Sequence, residues 1–144
     1  MVPADIEPLT VPGVMQSLTP IAQYVLAAAK AAGLDGKASY RLRLAVDELV
    51  TNTITYGYQA AGGTGDVVVR ADLDERALTI TIEDTAVPFD PRSVPRPEQI
   101  DLPIEDRPIG GLGVFLVMRG VDAFHYEHDG NRNRNTLVVR RPER

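Results

Sequence analysis

Residues 41–58 read RLRLAVDELVTNTITYGY, an apolar helical repeat interrupted by polar residues. Apolar and small residues recur at three- and four-residue spacing, which predicts the buried face of a helix from about Lys37 to Tyr58. The residues of that face are Leu42, Ala45, Val46, Leu49, Thr53 and Ile54. The polar residues between them are Asp47, Glu48, Thr51 and Asn52. They form the first of three candidate functional clusters.

Glu48 and Asn52 are four residues apart, so they project from one helical face, one turn above the other. A carboxylate and a carboxamide placed in this way can accept a proton from a nucleophile and hold a hydrated Mg²⁺. Magnesium prefers oxygen ligands and keeps several waters, so one protein oxygen from Asn52 is chemically sufficient. From this helix alone, an ordinary solvent-facing stripe is the alternative.

The segments on either side of this helix predict an α+β domain. An earlier helix is expected over residues 17–32, and alternating apolar residues predict a hairpin over 67–73 and 78–82. Two more strands are expected near 123–128 and 135–141, on either side of a turn at Asp129–Arg134. Such a chain can cover one face of a largely antiparallel sheet with helices.

The second cluster, EDTAVPFD at residues 83–90, lies where the hairpin's second strand ends. Asp84 continues the alternation of Leu78, Ile80 and Ile82, so its side chain is expected on their buried face. A buried carboxylate needs hydrogen-bond donors. An adenine amino group is one candidate donor, and the backbone amides of the following turn are the other.

The third cluster is the glycine-rich stretch Gly110-Gly111-Leu112-Gly113, which precedes an apolar helix ending near Gly120. Glycines let the backbone approach a phosphate, and amides at a helix start bind anions. A simple hinge between loop and helix is the alternative. The preceding residues 87–109 contain six prolines and predict a long irregular loop that could close over a ligand.

Composition restricts the classes of function. A length of 144 residues predicts one domain, 1–144, and the net charge of −5 argues against direct nucleic-acid binding. No apolar run is long enough to span a membrane. The chain has no cysteine, which excludes disulfides and zinc-thiolate sites and favours a cytoplasmic protein.

In this order and spacing, the three clusters resemble the nucleotide-binding boxes of the GHKL (Bergerat-fold) superfamily. Residues 41–58 resemble its helix with Glu-x-x-x-Asn, DTAVPFDP at 84–91 resembles its Asp-containing box, and RPIGGLGVFLVMRGVD at 107–122 resembles its lid end and third helix. The Pro-Phe pair, Pro88 and Phe89, is characteristic of the anti-sigma-factor serine kinases within that superfamily. The resemblance spans residues 5–141.

The resemblance implies a two-layer α/β sandwich with a mixed, mostly antiparallel sheet and helices on one face. It implies ATP and Mg²⁺ as cofactors, with Glu48 as the general base, Asn52 as the Mg²⁺ ligand and Asp84 on the adenine amino group. Thr136 is expected near the adenine. The remaining nucleotide-binding residues that it implies are Ala86, Pro88, Phe89, Arg107, Gly110, Gly111, Leu112 and Gly113.

By the same resemblance, the function is an anti-sigma-factor kinase that phosphorylates a serine of a STAS-domain antagonist. A sigma factor and a second copy of the chain are further expected partners. A nucleotide-gated binding module without catalysis is the alternative function, and a detached histidine-kinase ATP domain is a third. Ala86 departs from the family's glycine, so either nucleotide affinity is reduced or the turn uses ordinary dihedral angles.

Overall fold

The computed structural model describes residues 6–91 and 119–142. Within them the chain forms two long helices and five strands. In chain order these are β1 (Leu9–Pro12), α1 (Leu18–Ala31), α2 (Gly36–Asn52), β2 (Asp66–Leu73), β3 (Ala77–Asp84), β4 (Ala123–Asp129) and β5 (Arg132–Arg140), with a 3₁₀ turn at Met15–Ser17 and a π-helical segment at Thr53–Gln59.

The strands form one sheet in the order β1-β2-β3-β5-β4, and each described pairing is antiparallel. Apolar residues on one face of the sheet are buried in a single cluster with those of both helices, while the alternate residues face away. The predicted α+β sandwich with helices on one face is thereby confirmed. Leu9–Pro12, ahead of the first helix, forms the edge strand β1.

Both helices present a buried face to the sheet, as their spacing predicts. Ile21, Val25 and Ala29 of α1 are fully buried, and α2 contributes Leu42 and Val46. The side chain of Asp35 accepts a hydrogen bond from the Ala38 amide at 2.8 Å and caps α2. This cap and the buried face fix the start and rotation of α2, which carries Glu48 and Asn52.

The predicted helix up to Tyr58 changes its geometry directly after Asn52. Residues Thr53–Gln59 adopt a π-helical form, which widens the turn and is common at functional sites. Tyr58 lies near the end of this segment, and its hydroxyl donates to the Asp66 carbonyl at 2.9 Å and accepts from the Thr85 amide at 3.0 Å. These bonds hold the end of the helix against the end of β3.

The predicted turn at Asp129–Arg134 is wrong, because β5 begins at Arg132 and only Gly130 and Asn131 connect it to β4. Gly130 takes a positive φ of 64°, which suits glycine in a two-residue hairpin turn. The earlier start makes Asn133 a strand residue, directly opposite Asp84 of β3.

Candidate functional site

A pocket open to solvent lies where α2 and its π-helical continuation meet the ends of β3 and β5. It brings residues from the helix cluster and the strand-end cluster together. The polar residues that line it are Asn52, Thr53, Asp84, Asn133 and Asn135, and Ala86 and Phe89 are among the apolar ones.

Asp84 occupies the floor of this pocket and is 4% exposed. Its Oδ1 accepts hydrogen bonds from the Ala86 amide at 3.0 Å and from Asn133 Nδ2 at 2.8 Å. Its Oδ2 lies 3.3 Å from the Thr53 hydroxyl, which donates to it. Because a carboxylate oxygen can accept two bonds, Oδ2 keeps a lone pair for another donor. The predicted burial of Asp84 is confirmed. Its Oδ1 caps the following turn, and its Oδ2 can accept a further hydrogen bond.

The electrostatics of Asp84 show that its present partners do not fully replace water. Burial raises the pKa of this carboxyl above its ordinary value, although the bonds from Asn133, the Ala86 amide and Thr53, and the positive field of His128, all act to lower it. An additional donor in the pocket would therefore stabilise the ionised form.

Asn52 and Asn135 face the same pocket with unsatisfied oxygens. Each residue is 4% exposed, and within residues 6–91 and 119–142 the buried Oδ1 of each has no hydrogen-bond partner. A buried carbonyl oxygen without a partner is unfavourable by about 1–3 kcal/mol. Such an oxygen fits a ligand that supplies a cation or a hydrogen-bond donor.

The Asn52 oxygen is suited to a magnesium ion carried on a phosphate group. Mg²⁺ accepts amide oxygen as a ligand and commonly keeps waters and substrate phosphates as the others. Among residues 6–91 and 119–142, no three His, Asp or Glu side chains are grouped to hold a metal by themselves. The residues present therefore fit a metal that arrives with its ligand.

Glu48 lies one turn before Asn52 on α2 and is half-buried. Burial raises the pKa of its carboxyl. It is not among the residues that line the pocket in the described part of the chain. A carboxylate with a raised pKa is a stronger base, which is suited to proton abstraction beside the pocket.

The strand-end turn divides its residues between the pocket and the surface. Ala86 and Phe89 line the pocket, whereas Pro88 is exposed and does not. No non-glycine residue in the described ranges has a positive φ, so Ala86 uses ordinary dihedral angles. Tyr56, which follows Asn52 by one turn, is 43% exposed and does not line the pocket.

The expectation for Thr136 is corrected by the structure. Asn133, Asn135 and Leu137 of β5 are buried on the helix side, so Thr136 projects from the opposite face of the sheet. There it lies between Thr81 and His125 of the neighbouring strands. The residues of β5 that reach the pocket are the two asparagines.

Five of the predicted nucleotide-binding residues lie outside the described residues. These are Arg107, Gly110, Gly111, Leu112 and Gly113.

Sequence reasoning missed Asn133 and Tyr126. Asn133 is 3% exposed and its Oδ1 accepts a hydrogen bond from the Tyr126 hydroxyl. The signal for Asn133 was present, because extending the two-residue period of Leu137 and Val139 backwards through Asn135 leads to it. It was lost when residues 129–134 were assigned to a turn.

Comparison with known proteins identifies the domain type. The family model described as "Histidine kinase-like ATPase domain" matches residues 12–141. Two solved structures share the fold. One is the histidine kinase domain of the blue-light activated histidine kinase EL346 from Erythrobacter litoralis, with a TM-score of 0.52 and 16% sequence identity. That match covers 86% of this chain and 59% of the histidine kinase chain. The Acinetobacter baumannii histidine kinase AdeS has a TM-score of 0.53 and 11% identity, and covers 94% and 68%.

Sequence relatives carry the name serine-protein kinase RsbW. The protein from Bacillus thuringiensis strain Al Hakam is 30% identical over 91 residues, which is 61% of this chain and 56% of the relative. The protein from Bacillus anthracis strain CDC 684 is 31% identical over the same shares. The match therefore spans little more than half the length of these relatives. Within the described residues, no helix has the length and apolar character needed to cross a bilayer.

Proposed function

The chain belongs to the histidine kinase-like ATPase family, and we propose on that basis that its pocket binds ATP with Mg²⁺ and that it is a serine-protein kinase. The observation that carries the proposal is the shared pocket of Asp84 and Asn52. Asp84 offers a buried carboxylate oxygen that can accept another hydrogen bond, and Asn52 offers a buried amide oxygen that no described residue contacts by a hydrogen bond.

In the proposed complex, the adenine amino group donates to Asp84 and the triphosphate extends toward Asn52. The buried turn residue Ala86 and the half-buried ring of Phe89 provide apolar contact for the base. Asn52 Oδ1 would hold Mg²⁺, which neutralises developing negative charge on the phosphates during transfer. Asn135 Oδ1 is available to a donor at the same end of the pocket as Asp84, since the two residues lie diagonally on neighbouring strands.

Glu48 is the proposed general base for the accepting hydroxyl. Its position one helical turn from Asn52 supports a role beside the proposed Mg·ATP site. Phosphoryl transfer depends mostly on positioning and charge neutralisation, so the base is expected to contribute about 10²–10⁴-fold of the rate.

The proposed physiological substrate is a serine of a small STAS-domain antagonist, and the proposed regulatory partner is a sigma factor. Both proposals are supported by the similarity to serine-protein kinases named RsbW. On this proposal the chain acts in the cytoplasm as a partner-switching regulator, and it can act as a homodimer.

The test is phosphoryl transfer from γ-labelled ATP to the STAS protein that co-purifies with this chain from its native cell. We expect magnesium-dependent labelling of one serine, mapped by mass spectrometry, and no labelling when EDTA removes the metal. ATP binding without transfer would support the non-catalytic binding module instead. Absence of ATP binding to the purified chain would contradict both functions.

A further inference from the structure

Asn133 connects three parts of the pocket with one carboxamide. Its Nδ2 donates to Asp84 Oδ1 at 2.8 Å and to the Ala86 carbonyl at 3.0 Å, and lies 3.4 Å from the Val87 carbonyl. Its Oδ1 accepts from the Tyr126 hydroxyl of β4. Each polar atom of this buried side chain is therefore used.

Asp84 and the Ala86 carbonyl, both acceptors, determine which end of the Asn133 amide faces them, and the Tyr126 hydroxyl donates to the opposite end. A hydroxyl that donates to Oδ1 leaves the NH₂ group to face the carboxylate, since the two ends of an amide are fixed relative to each other. If the amide reversed, its oxygen would face the Asp84 carboxylate and the Ala86 carbonyl, and three acceptors would meet without a donor.

We infer that Asn133, held by Tyr126, is a positioning residue that engages Asp84 Oδ1 and the Ala86–Val87 turn so that Asp84 Oδ2 accepts the amino group of a purine. This inference rests on the proposed binding of ATP at this pocket. It adds Tyr126 of β4 and Asn133 of β5 to the site residues that the motifs name.

The same contact favours the ionised form of Asp84. The Asn133 bond is the largest of the interactions that oppose the rise of the Asp84 pKa on burial. The other groups that lower it are the Ala86 amide of the turn, Thr53 of the π-helical segment and His128 of β4. The pKa of Tyr126 is itself raised by burial, and the negative charges of Asp90 and Asp84 act in the same direction. Because an amino group donates to a carboxylate more strongly than to a carboxylic acid, Asn133 also extends binding to lower pH.

Asn133→Asp is the most informative variant, because it keeps the shape of the side chain and replaces the donor with a second carboxyl. Two adjacent carboxyls share a proton, so Asp84 would be neutral at a higher pH. We expect ATP affinity at pH 7 to fall about 10- to 100-fold, as for loss of one charge-assisted hydrogen bond. The acid limit of binding should move upward by about one pH unit or more.

Tyr126→Phe is the second variant, and it removes only the hydroxyl that donates to the amide. It should weaken ATP binding less than Asn133→Asp and shift the acid limit in the same direction. Thr136→Val is the control on the outer face of the same strand, and it should change neither quantity. Calorimetric titration of the full chain with Mg·ATP from pH 5.5 to 8.5 measures all three.

Titration of the Asp84 carboxyl by ¹³C NMR in the nucleotide-free chain separates this inference from the proposed function. An Asp84 pKa that is unchanged in Asn133→Asp and in Tyr126→Phe, with wild-type ATP affinity, would overturn the positioning role alone. Wild-type protein that does not bind ATP would overturn the proposed function and the inference that rests on it. A raised Asp84 pKa with weakened binding supports both.

Discussion

A Cβ atom built on Gly57 would lie 2.6 Å from the Cβ of Ala86, so these two residues share the space for one methyl group. Ala86 is buried and its backbone φ is not positive. The alanine that stands where the broader family has glycine is therefore accommodated by a glycine on the facing π-helical segment. The sequence left two explanations for Ala86 open, a reduced nucleotide affinity or ordinary dihedral angles in the turn. The structure supports the ordinary dihedral angles.

Gly57→Ala is expected to lower the free energy of unfolding by about 1–3 kcal/mol, although alanine is the better helix former by about 1 kcal/mol. The cause is the clash of two methyl groups between packed backbones. The double variant Gly57→Ala with Ala86→Gly should recover most of the loss, because it moves the single methyl to the other side. Urea unfolding of the four proteins of this cycle gives the coupling free energy.

Gly36→Ala is the matched control, because a Cβ at Gly36 meets no atom within 4 Å. It should be neutral or slightly stabilising. A loss of stability as large as that of Gly57→Ala, or additive behaviour of Gly57→Ala and Ala86→Gly, would contradict the shared methyl space.

Glu48→Gln should reduce phosphoryl transfer to the partner protein by about 10²-fold or more while ATP affinity changes little. The amide keeps the size of the side chain but cannot accept the serine proton. Single-turnover transfer from γ-labelled ATP, together with calorimetric binding of ATP, distinguishes the two effects.

Asp47→Asn provides the matched control for that experiment. Asp47 is the preceding carboxylate on the same helix, its pKa is also raised by burial, and it pairs with Arg43 at 3.4 Å. We expect its transfer rate to stay near that of the wild type. Equal loss in both variants would indicate a general effect of charge on α2, and unchanged transfer in Glu48→Gln would remove Glu48 from the base role.

Glu48→Gln should also stabilise the chain at neutral pH. The folded state raises the pKa of Glu48, so it binds more protons than the unfolded state between the two pKa values, and stability falls as pH rises through that window. Glutamine lacks this penalty. Its advantage in Tm should therefore be largest near pH 7 and should disappear below about pH 4, under the ordinary glutamate pKa.

Glu83→Gln should have the opposite sign in the same melting experiment. Burial acts to raise the pKa of Glu83, but its hydrogen bonds with Arg70 and Arg134 outweigh burial and lower it. The ionised carboxylate thus stabilises the folded chain at neutral pH, and this stability is lost as pH falls through the lowered pKa.

A Glu48→Gln variant that melts below the wild type at pH 7 would contradict the prediction for Glu48. It would show that burial of the Glu48 charge is not unfavourable.

The parts of the site that the sequence predicts are those set by a regular period. The helical spacing places Asn52, and the alternation of β3 places Asp84, because burial of an apolar face fixes the rotation of each element. The change to a π-helix after Asn52 could not be read in the same way. It accompanies contacts of Tyr58 with Asp66 and with Thr85, the latter 27 residues away in sequence.

The far side of the pocket was missed for a different reason. Polar residues at 129–134 resemble a loop in composition, but pairing with β4 and β3 extends β5 back to Arg132. Thr136 is assigned to the adenine only by the resemblance, whereas the burial pattern of β5 turns Asn133 and Asn135 toward the pocket.

Asn135→Ala and Thr136→Val test this correction on adjacent residues of one strand. Asn135 lines the pocket with an unpartnered Oδ1, so its removal should weaken ATP binding, by up to about tenfold for one neutral hydrogen bond. Thr136→Val keeps the side-chain shape on the outer face and should leave ATP binding unchanged. Calorimetry at a single pH is sufficient. Weaker ATP binding in Thr136→Val together with unchanged ATP binding in Asn135→Ala would reverse the assignment.

Asn52→Ala should weaken binding of Mg·ATP and leave binding of metal-free ATP nearly unchanged. The reason is that the proposed contact of Asn52 with the metal is through Oδ1, which is buried without a hydrogen-bond partner among the described residues, so its loss removes a metal ligand.

Calorimetric titrations with ATP in Mg²⁺ and in EDTA measure the difference, and Thr51→Ala, one position earlier on α2, is the control. We expect the magnesium-dependent gain in affinity to be present in the wild type and in Thr51→Ala and to be lost in Asn52→Ala. If Asn52→Ala weakened binding equally with and without the metal, Asn52 would contact the nucleotide itself. The magnesium would then have to be held by its phosphates and waters without this side chain.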